Sequence, residues 1–352
     1  MTSSGTGRYQ PRGPLSEKLL TRLHTPEPIS FSEGVELLDT AEHAVADSVD
    51  FLHNGDLQLT LFALYALCYG SEPEWAPHSE WDPQLTALRQ LLERHFEAAL
   101  RQQIEVPQLP EPKQEDVAAA LFELTNADSG PSLSRFFAKR ATEVQARELL
   151  VLRSIYTLRE ADPHSWAIPR LTGRAKTALV EIQNDEYGNG DGSQMHAEMF
   201  ARALRAANLS DEYGAYLDLV PVITLTNWNM MSMFGINRRL LGAIVGHLAA
   251  FEMTSSLPNR GYADGLRRLG FSDEVTQYFD EHVTADAVHE QIAARDLAGA
   301  LAEDHPELLR DIFFGAAACL TLDGLAAAET LAAWQQNVSA LAVVTEQVAV
   351  NG

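Results

Sequence analysis

The segment EHVTADAVHEQIA carries His282, Asp286 and His289 at spacings i, i+4 and i+7. At about 100° per residue the three fall within roughly 60° of arc, one stripe two turns long. Two imidazoles and a carboxylate on one stripe can meet a metal ion together. A solvated polar face is the alternative. Against it, Val283, Ala287 and Val288 leave no clear apolar face, and the chain has only 11 histidines.

A second group lies in EIQNDEYGNGDGSQMHAEMF. Glu186 closes one helical stretch and His196 opens the next, with a glycine loop between them. Glu181, Asp185 and Glu186 compete for the carboxylate role. The loop lacks the oxygen periodicity and terminal glutamate of a calcium loop. A plain helix–turn–helix connection with Gly188 as the stop is the competing reading. Glu252 follows the apolar run Leu240 to Phe251. A carboxylate in a buried helix needs a partner or costs several kcal/mol, unless the helix has surfaced there. His247, in the same run, reads as a packed core histidine. Glu160, among Arg153, Arg159 and Asp162, reads alone as part of an exposed ion pair.

Taken together, Glu160, Glu186, Glu252 and Asp286 offer four negative charges, and His196, His282 and His289 offer neutral nitrogen. Two divalent ions would balance that set. Cys68 and Cys319 sit in apolar helical surroundings and read as buried thiols of a reducing, cytoplasmic compartment. Ligation is therefore by N and O, which suits iron or manganese and allows zinc.

The elements that must position these residues are helical. Alanine and leucine are abundant and β-branched runs few, so an all-α fold is expected. From Ser32, a cap candidate, to about Leu100 the pattern is helical, broken by Ser71 to Pro83; Val106 to Asp116 is a proline-rich connector. Further helices are expected over 142–161, 173–187, 193–207, through LDLVPVITLTNWNM, over 238–255 ending before Leu257-Pro258, over 272–302, and over 306–341. Around His282 to His289, Val283, Thr284 and Val288 lower helix propensity, so that helix is expected to bend or unwind unless metal orders it. The domain reading is a disordered start over 1–30, accessory helices over 31–130 and a metal-binding core over 131–345.

The net charge is −23. So acidic a surface repels phosphate backbones and anionic bilayers, which argues against nucleic-acid and membrane partners. The run Leu240 to Phe251 is too short to span a bilayer. The first residues lack the apolar stretch of a secretory signal.

In order and spacing, Glu160, DEYG at 185–188 with Glu186, His196, Glu252 and HxxxDxxH from His282 to His289 resemble the heme-oxygenase-like diiron oxidases and oxygenases, often termed iron-containing redox enzymes. The resemblance covers about Arg147 to Ala294. It implies a heme-oxygenase-like helical bundle with additional N-terminal helices, two Fe(II) ions and O2 as co-substrate. It places Glu186 near both irons, Glu160 and His196 on one side, and His282, Asp286 and His289 on the other. Glu252 is the extra carboxylate of some members, especially N-oxygenating ones. The family oxidises small molecules by N-oxygenation, desaturation or oxidative C–C cleavage. A homodimer is expected, with Leu325 to Val344 as a contact surface unless that helix is core, and an external electron donor is allowed for. A heme oxygenase would need one proximal histidine rather than this carboxylate set, and a ferritin-like diiron protein would carry two ExxH elements. A metal-free enzyme of the same fold, or a metal-free ligand-binding or scaffold protein, has no use for all seven residues.

Overall fold

The computed structural model describes residues 9–127 and 132–342, with the backbone alone at 285–287. Among the described residues there are helices and turns but no strand, as composition predicts. Four helices form the N-terminal part: α1 (Pro14–Leu23), α2 (Phe31–Ala46), α3 (Gly55–Tyr69) and α4 (Pro83–Gln103). Then follow α5 (Gln114–Asn126), α6 (Leu133–Arg140), α7 (Glu143–Thr157), the short α8 (Asp162–Ser165), α9 (Gly173–Glu186) and α10 (His196–Ala206). The remainder are α11 (Val222–Ile236), α12 (Leu241–Arg268), α13 (Asp273–Gln291), a π-helical segment Ile292–Gly299, α14 (Ala300–Asp304) and α15 (Leu309–Gln335).

Several helix ends correct the sequence reading. Disorder does not extend to residue 30: α1 buries Leu15, Leu19, Leu20 and Leu23, an apolar stripe of spacing i, i+4, i+5, i+8. The cap of α2 is Ser30, not Ser32. Ser30 and Glu33 form a capping box, with Glu33 N–H donating to Ser30 Oγ and Ser30 N–H to the Glu33 carboxylate. The α7 helix stops at Thr157, four residues short of the expected end at Ala161.

The largest departure is α12, which runs 28 residues straight through Pro258. Its far half buries Asn259, Tyr262, Ala263, Gly265 and Leu266 against α6 and α13. That packing outweighs the roughly 3 kcal/mol an interior proline costs. With this length, α12 and α15 are each long and apolar enough to cross a membrane. Here they pack against each other in the bundle interior. In α13 the backbone stays α-helical across His282 to His289, and the departure from α geometry comes one turn later, in the π segment. That segment buries Ala293, Ala294, Leu297 and Ala298 against α5 and α9.

The N-terminal helices do not form a core of their own. Buried side chains from α1 to α15 join in one cluster. Polar bonds also cross the division: Thr226 Oγ1 donates to the Leu52 carbonyl (2.6 Å), and Asn229 Nδ2 donates to the Gln58 carbonyl and side chain (2.8 and 2.9 Å). The Leu331 and Trp334 side chains of α15 are buried within this chain, while Val343 and Val344 lie outside the described residues.

Candidate metal centre

Five segments converge on one buried point. Glu160 sits in the turn between α7 and α8. Glu186 is the last residue of α9 and His196 the first of α10, with a tight loop between them. Gly188 takes φ +78°, and a Cβ there would meet the Met195 amide at 2.6 Å, so the turn demands glycine. Glu252 lies midway along α12, and His282 and His289 along α13. All six side chains are buried, none more than 8% exposed. Of the three competing carboxylates before the loop, Glu186 points inward, Asp185 is half-buried and Glu181 faces solvent. Asp286 lies on α13 between the two histidines, but its side chain is outside the described residues.

The six make two overlapping groups. In the first, ligand atoms of Glu160, Glu186, His196 and His282 all lie within 4.8 Å of one another; in the second, those of Glu186, Glu252 and His289 do. Glu186 belongs to both. His196 Nδ1 lies 3.0 Å from Glu186 Oε2, His282 Nε2 3.7 Å from Glu160 Oε1, and His289 Nδ1 3.4 Å from Glu252 Oε2. These are close approaches that bond geometry does not satisfy: Glu160 Oε1, His196 Nδ1 and His289 Nδ1 are fully buried and make no hydrogen bond. Buried polar atoms without partners cost about 1–3 kcal/mol each. Three of them converging on shared points fit cations between them.

The outer faces of the ligands are held. His282 Nδ1–H donates to the Tyr278 carbonyl at 2.8 Å. A carbonyl can only accept, so the proton is on Nδ1 and the Nε2 lone pair faces the site. His289 Nε2 lies 3.2 Å from Asp185 Oδ2, and Asp185 in turn accepts from Asn189 Nδ2 at 2.5 Å. The Tyr278 hydroxyl donates to Glu160 Oε2 at 2.6 Å.

In the protein alone, protons balance the carboxylates. Burial and the neighbouring Glu186 push the Glu160 carboxyl up to about 8. Burial also works to raise Glu186, but the facing His196 outweighs it and holds Glu186 down at about 2. Burial would lower His196, yet Glu186 and Glu160 lift it to about 10. Desolvation and the facing His196 drop His282 to about 3, so it presents a neutral nitrogen. One carboxylate, one protonated carboxyl, one imidazolium and one neutral imidazole within a few ångströms is a proton arrangement that divalent cations can replace.

Beside Glu160 and Glu186 is a cavity of about 10 Å³, walled on its far side by Tyr156, His164, Leu248 and Phe251. That is room for roughly one water-sized occupant. His247, expected as a packed core histidine, is buried and pairs with His164, whose Nε2 lies 3.2 Å from its Nδ1. Burial drives His164 down to about 4 and His247 well below its usual value, so both rings stay neutral. Sequence reading missed Tyr278, His164 and the role of Asp185. An i, i+4 spacing of Tyr278 to His282, which puts both on one face, was the available signal for the first.

The sequence matches the family described as iron-containing redox enzyme over residues 147–324, a span that contains all seven candidate ligands. A nitrosourea synthase from Streptomyces achromogenes subsp. streptozoticus is 29% identical over 192 residues, 53% of this chain and 41% of that protein. The chain thus spans less than half of that relative's length. A CADD-like protein of unknown function from Nostoc punctiforme PCC 73102 aligns with TM-score 0.48 at 16% identity, covering 60% of this chain and 94% of its own. Half of this chain, including every helix that brings a carboxylate or imidazole to the buried centre, matches one family: the chain belongs to the iron-containing redox enzymes.

Proposed function

We propose that the chain is a non-heme diiron oxidase or oxygenase that uses two Fe(II) ions and O2 to oxidise a small molecule. The observation that carries this reading is the shared position of Glu186. One buried carboxylate belongs to two ligand groups, so it can bridge two ions held by Glu160, His196 and His282 on one side and by Glu252 and His289 on the other. Asp286, on the same stripe of α13, would complete the set. Two adjacent irons can supply one electron each to O2. The protein's own part is to keep the centre dry and fixed. The apolar wall of Leu248 and Phe251 excludes bulk water, Tyr278 and Asp185 orient ligands from behind, and the neutral His164, paired with His247, walls the cavity without added charge.

Within that class, N-oxygenation of an amino-acid-like amine is the reading favoured here. Glu252 is buried and faces His289 and Glu186 rather than solvent, where an extra carboxylate ligand would stand. The relative named for a nitrosourea product points the same way, toward a nitrogen-bearing substrate. Desaturation or oxidative C–C cleavage would use the same centre.

Anaerobic titration with Fe(II) tests the reading. Close to two Fe(II) per chain should bind, and the double change His282→Ala with His289→Ala should remove at least one. On mixing with O2 the Fe(II) form should consume it, followed with an oxygen electrode. Iron content unchanged by the double substitution, or an Fe(II) form inert to O2, would overturn the assignment.

A further inference from the structure

Tyr278 is wholly buried between Phe200, Phe279 and the His282 ring, with centroids 5.1, 5.1 and 4.3 Å away. It touches two ligands of the same group by two different atoms. Its hydroxyl donates to Glu160 Oε2 at 2.6 Å, and its carbonyl accepts from His282 Nδ1–H at 2.8 Å. The i, i+4 spacing puts both functions on one turn of α13. Behind it, the Arg153 guanidinium lies over the Tyr262 and Phe279 rings.

The consequence is an asymmetric carboxylate. Oε2 is occupied by a phenol proton, while Oε1 is buried, unpartnered and turned toward His282 Nε2. A free carboxylate can hold a cation through either oxygen or both. One with Oε2 tied to a buried hydroxyl offers Oε1 alone, at a fixed angle. The same residue's carbonyl locks the imidazole tautomer, so two ligands of one ion are oriented from one point.

We propose that Tyr278 is a positioning residue of the metal centre, holding Glu160 to ligation through a single oxygen while fixing the His282 lone pair toward the same ion. This rests on the diiron reading above. It assigns a role to a residue that touches neither metal nor substrate, and it confines that role to the ion of Glu160, His196 and His282. The second group, with Glu252 and His289, has no contact with Tyr278.

The test separates the two ions. In a His289→Ala background the first ion dominates, and in a His282→Ala background the second does. Tyr278→Phe removes one oxygen and keeps the ring packing. Anaerobic Fe(II) calorimetry on the full chain should show the first ion bound about ten- to a hundredfold more weakly after Tyr278→Phe, and the second unchanged. A merely structural role would weaken both or neither. Equal affinity for the first ion with and without the hydroxyl overturns the proposal. A parent chain that takes up no Fe(II) overturns the diiron reading itself, and with it this role. The second measurement needs no deletion. Site-specific 3-fluorotyrosine at 278 retains the hydroxyl, and its fluorine resonance should shift when diamagnetic Zn(II) is added to the full chain. A resonance that stays put while Zn(II) binds would also overturn the proposal.

Discussion

At the scale of single residues, the candidate centre is built of carboxylates and imidazoles that face inward and of groups that hold them from behind. Asp185 and Glu186 show the division. They are neighbours in sequence, yet Glu186 enters both ligand groups while Asp185 stays half-buried and approaches His289 Nε2 from outside at 3.2 Å. A carboxylate behind a ligating imidazole fixes its orientation and raises its basicity. Asp185→Asn should therefore weaken the ion held by Glu252 and His289 by about ten- to a hundredfold and leave Tyr278's ion untouched, by anaerobic Fe(II) calorimetry. Equal loss at both ions would mean that Asp185 acts by positioning the whole loop. Such roles were only partly legible in the sequence. His282 and His289 stood out because helix spacing converts directly to a shared face. Glu252 stood out because its surroundings were too apolar for a lone charge. Glu160 did not, since its ligand position depends on a turn that only packing sets. Choosing Glu186 over Asp185 and Glu181 required the angle at which α9 meets its loop, which spacing alone does not give.

At the scale of elements, the centre depends on how closely α12 approaches α15. A Cβ on Gly246 would run into the Ile312 carbonyl, and one on Gly315 into the Ala243 carbonyl. The two glycines thus let two backbones touch, at a crossing about two turns from Glu252. Neither collision can be relieved by a rotamer change, because the obstacle is backbone. Gly246→Ala should destabilise by about 1–3 kcal/mol or more, read as a lower urea midpoint. It should also weaken the Glu252 ion by pushing α12 away from α15. An unchanged midpoint would show that the helices can separate at no cost. The sequence predicted that α12 exists and that its first half is buried, but it ended the helix before Pro258. The proline rule is local to the residues beside it, and the packing of Tyr262, Gly265 and Leu266 that overrides it comes from α6, far upstream in the chain, and from the following helix α13. The π segment after α13 has no sequence signature at all for the same reason.

At the scale of the whole molecule, the question is whether the N-terminal helices share the stability of the half that carries the candidate metal centre. The sequence placed a division near residue 130, after α5. Packing does not respect it. The Arg12 guanidinium donates to the Leu217 and Val220 carbonyls, both at 2.8 Å. Buried α3 lies directly on α11, and one continuous cluster of buried side chains joins the two parts. If that cluster unfolds as a unit, metal bound at the far side must stabilise α3 as well. A net charge of −23 draws cations toward the protein but adds nothing specific to α3. Metal at a hundred times its dissociation constant stabilises the folded state by about 2.7 kcal/mol per site, which slows exchange through global opening about a hundredfold. The slowest amides of α3, Gly55–Tyr69, should therefore slow by the same factor as those of α9 and α12 when Fe(II) is added under argon. Protection that rises in α9 and α12 while α3 is unmoved would show that the first four helices open on their own. The packing seen across the division would then be contact without cooperativity, and the division near residue 130 would be an energetic one after all.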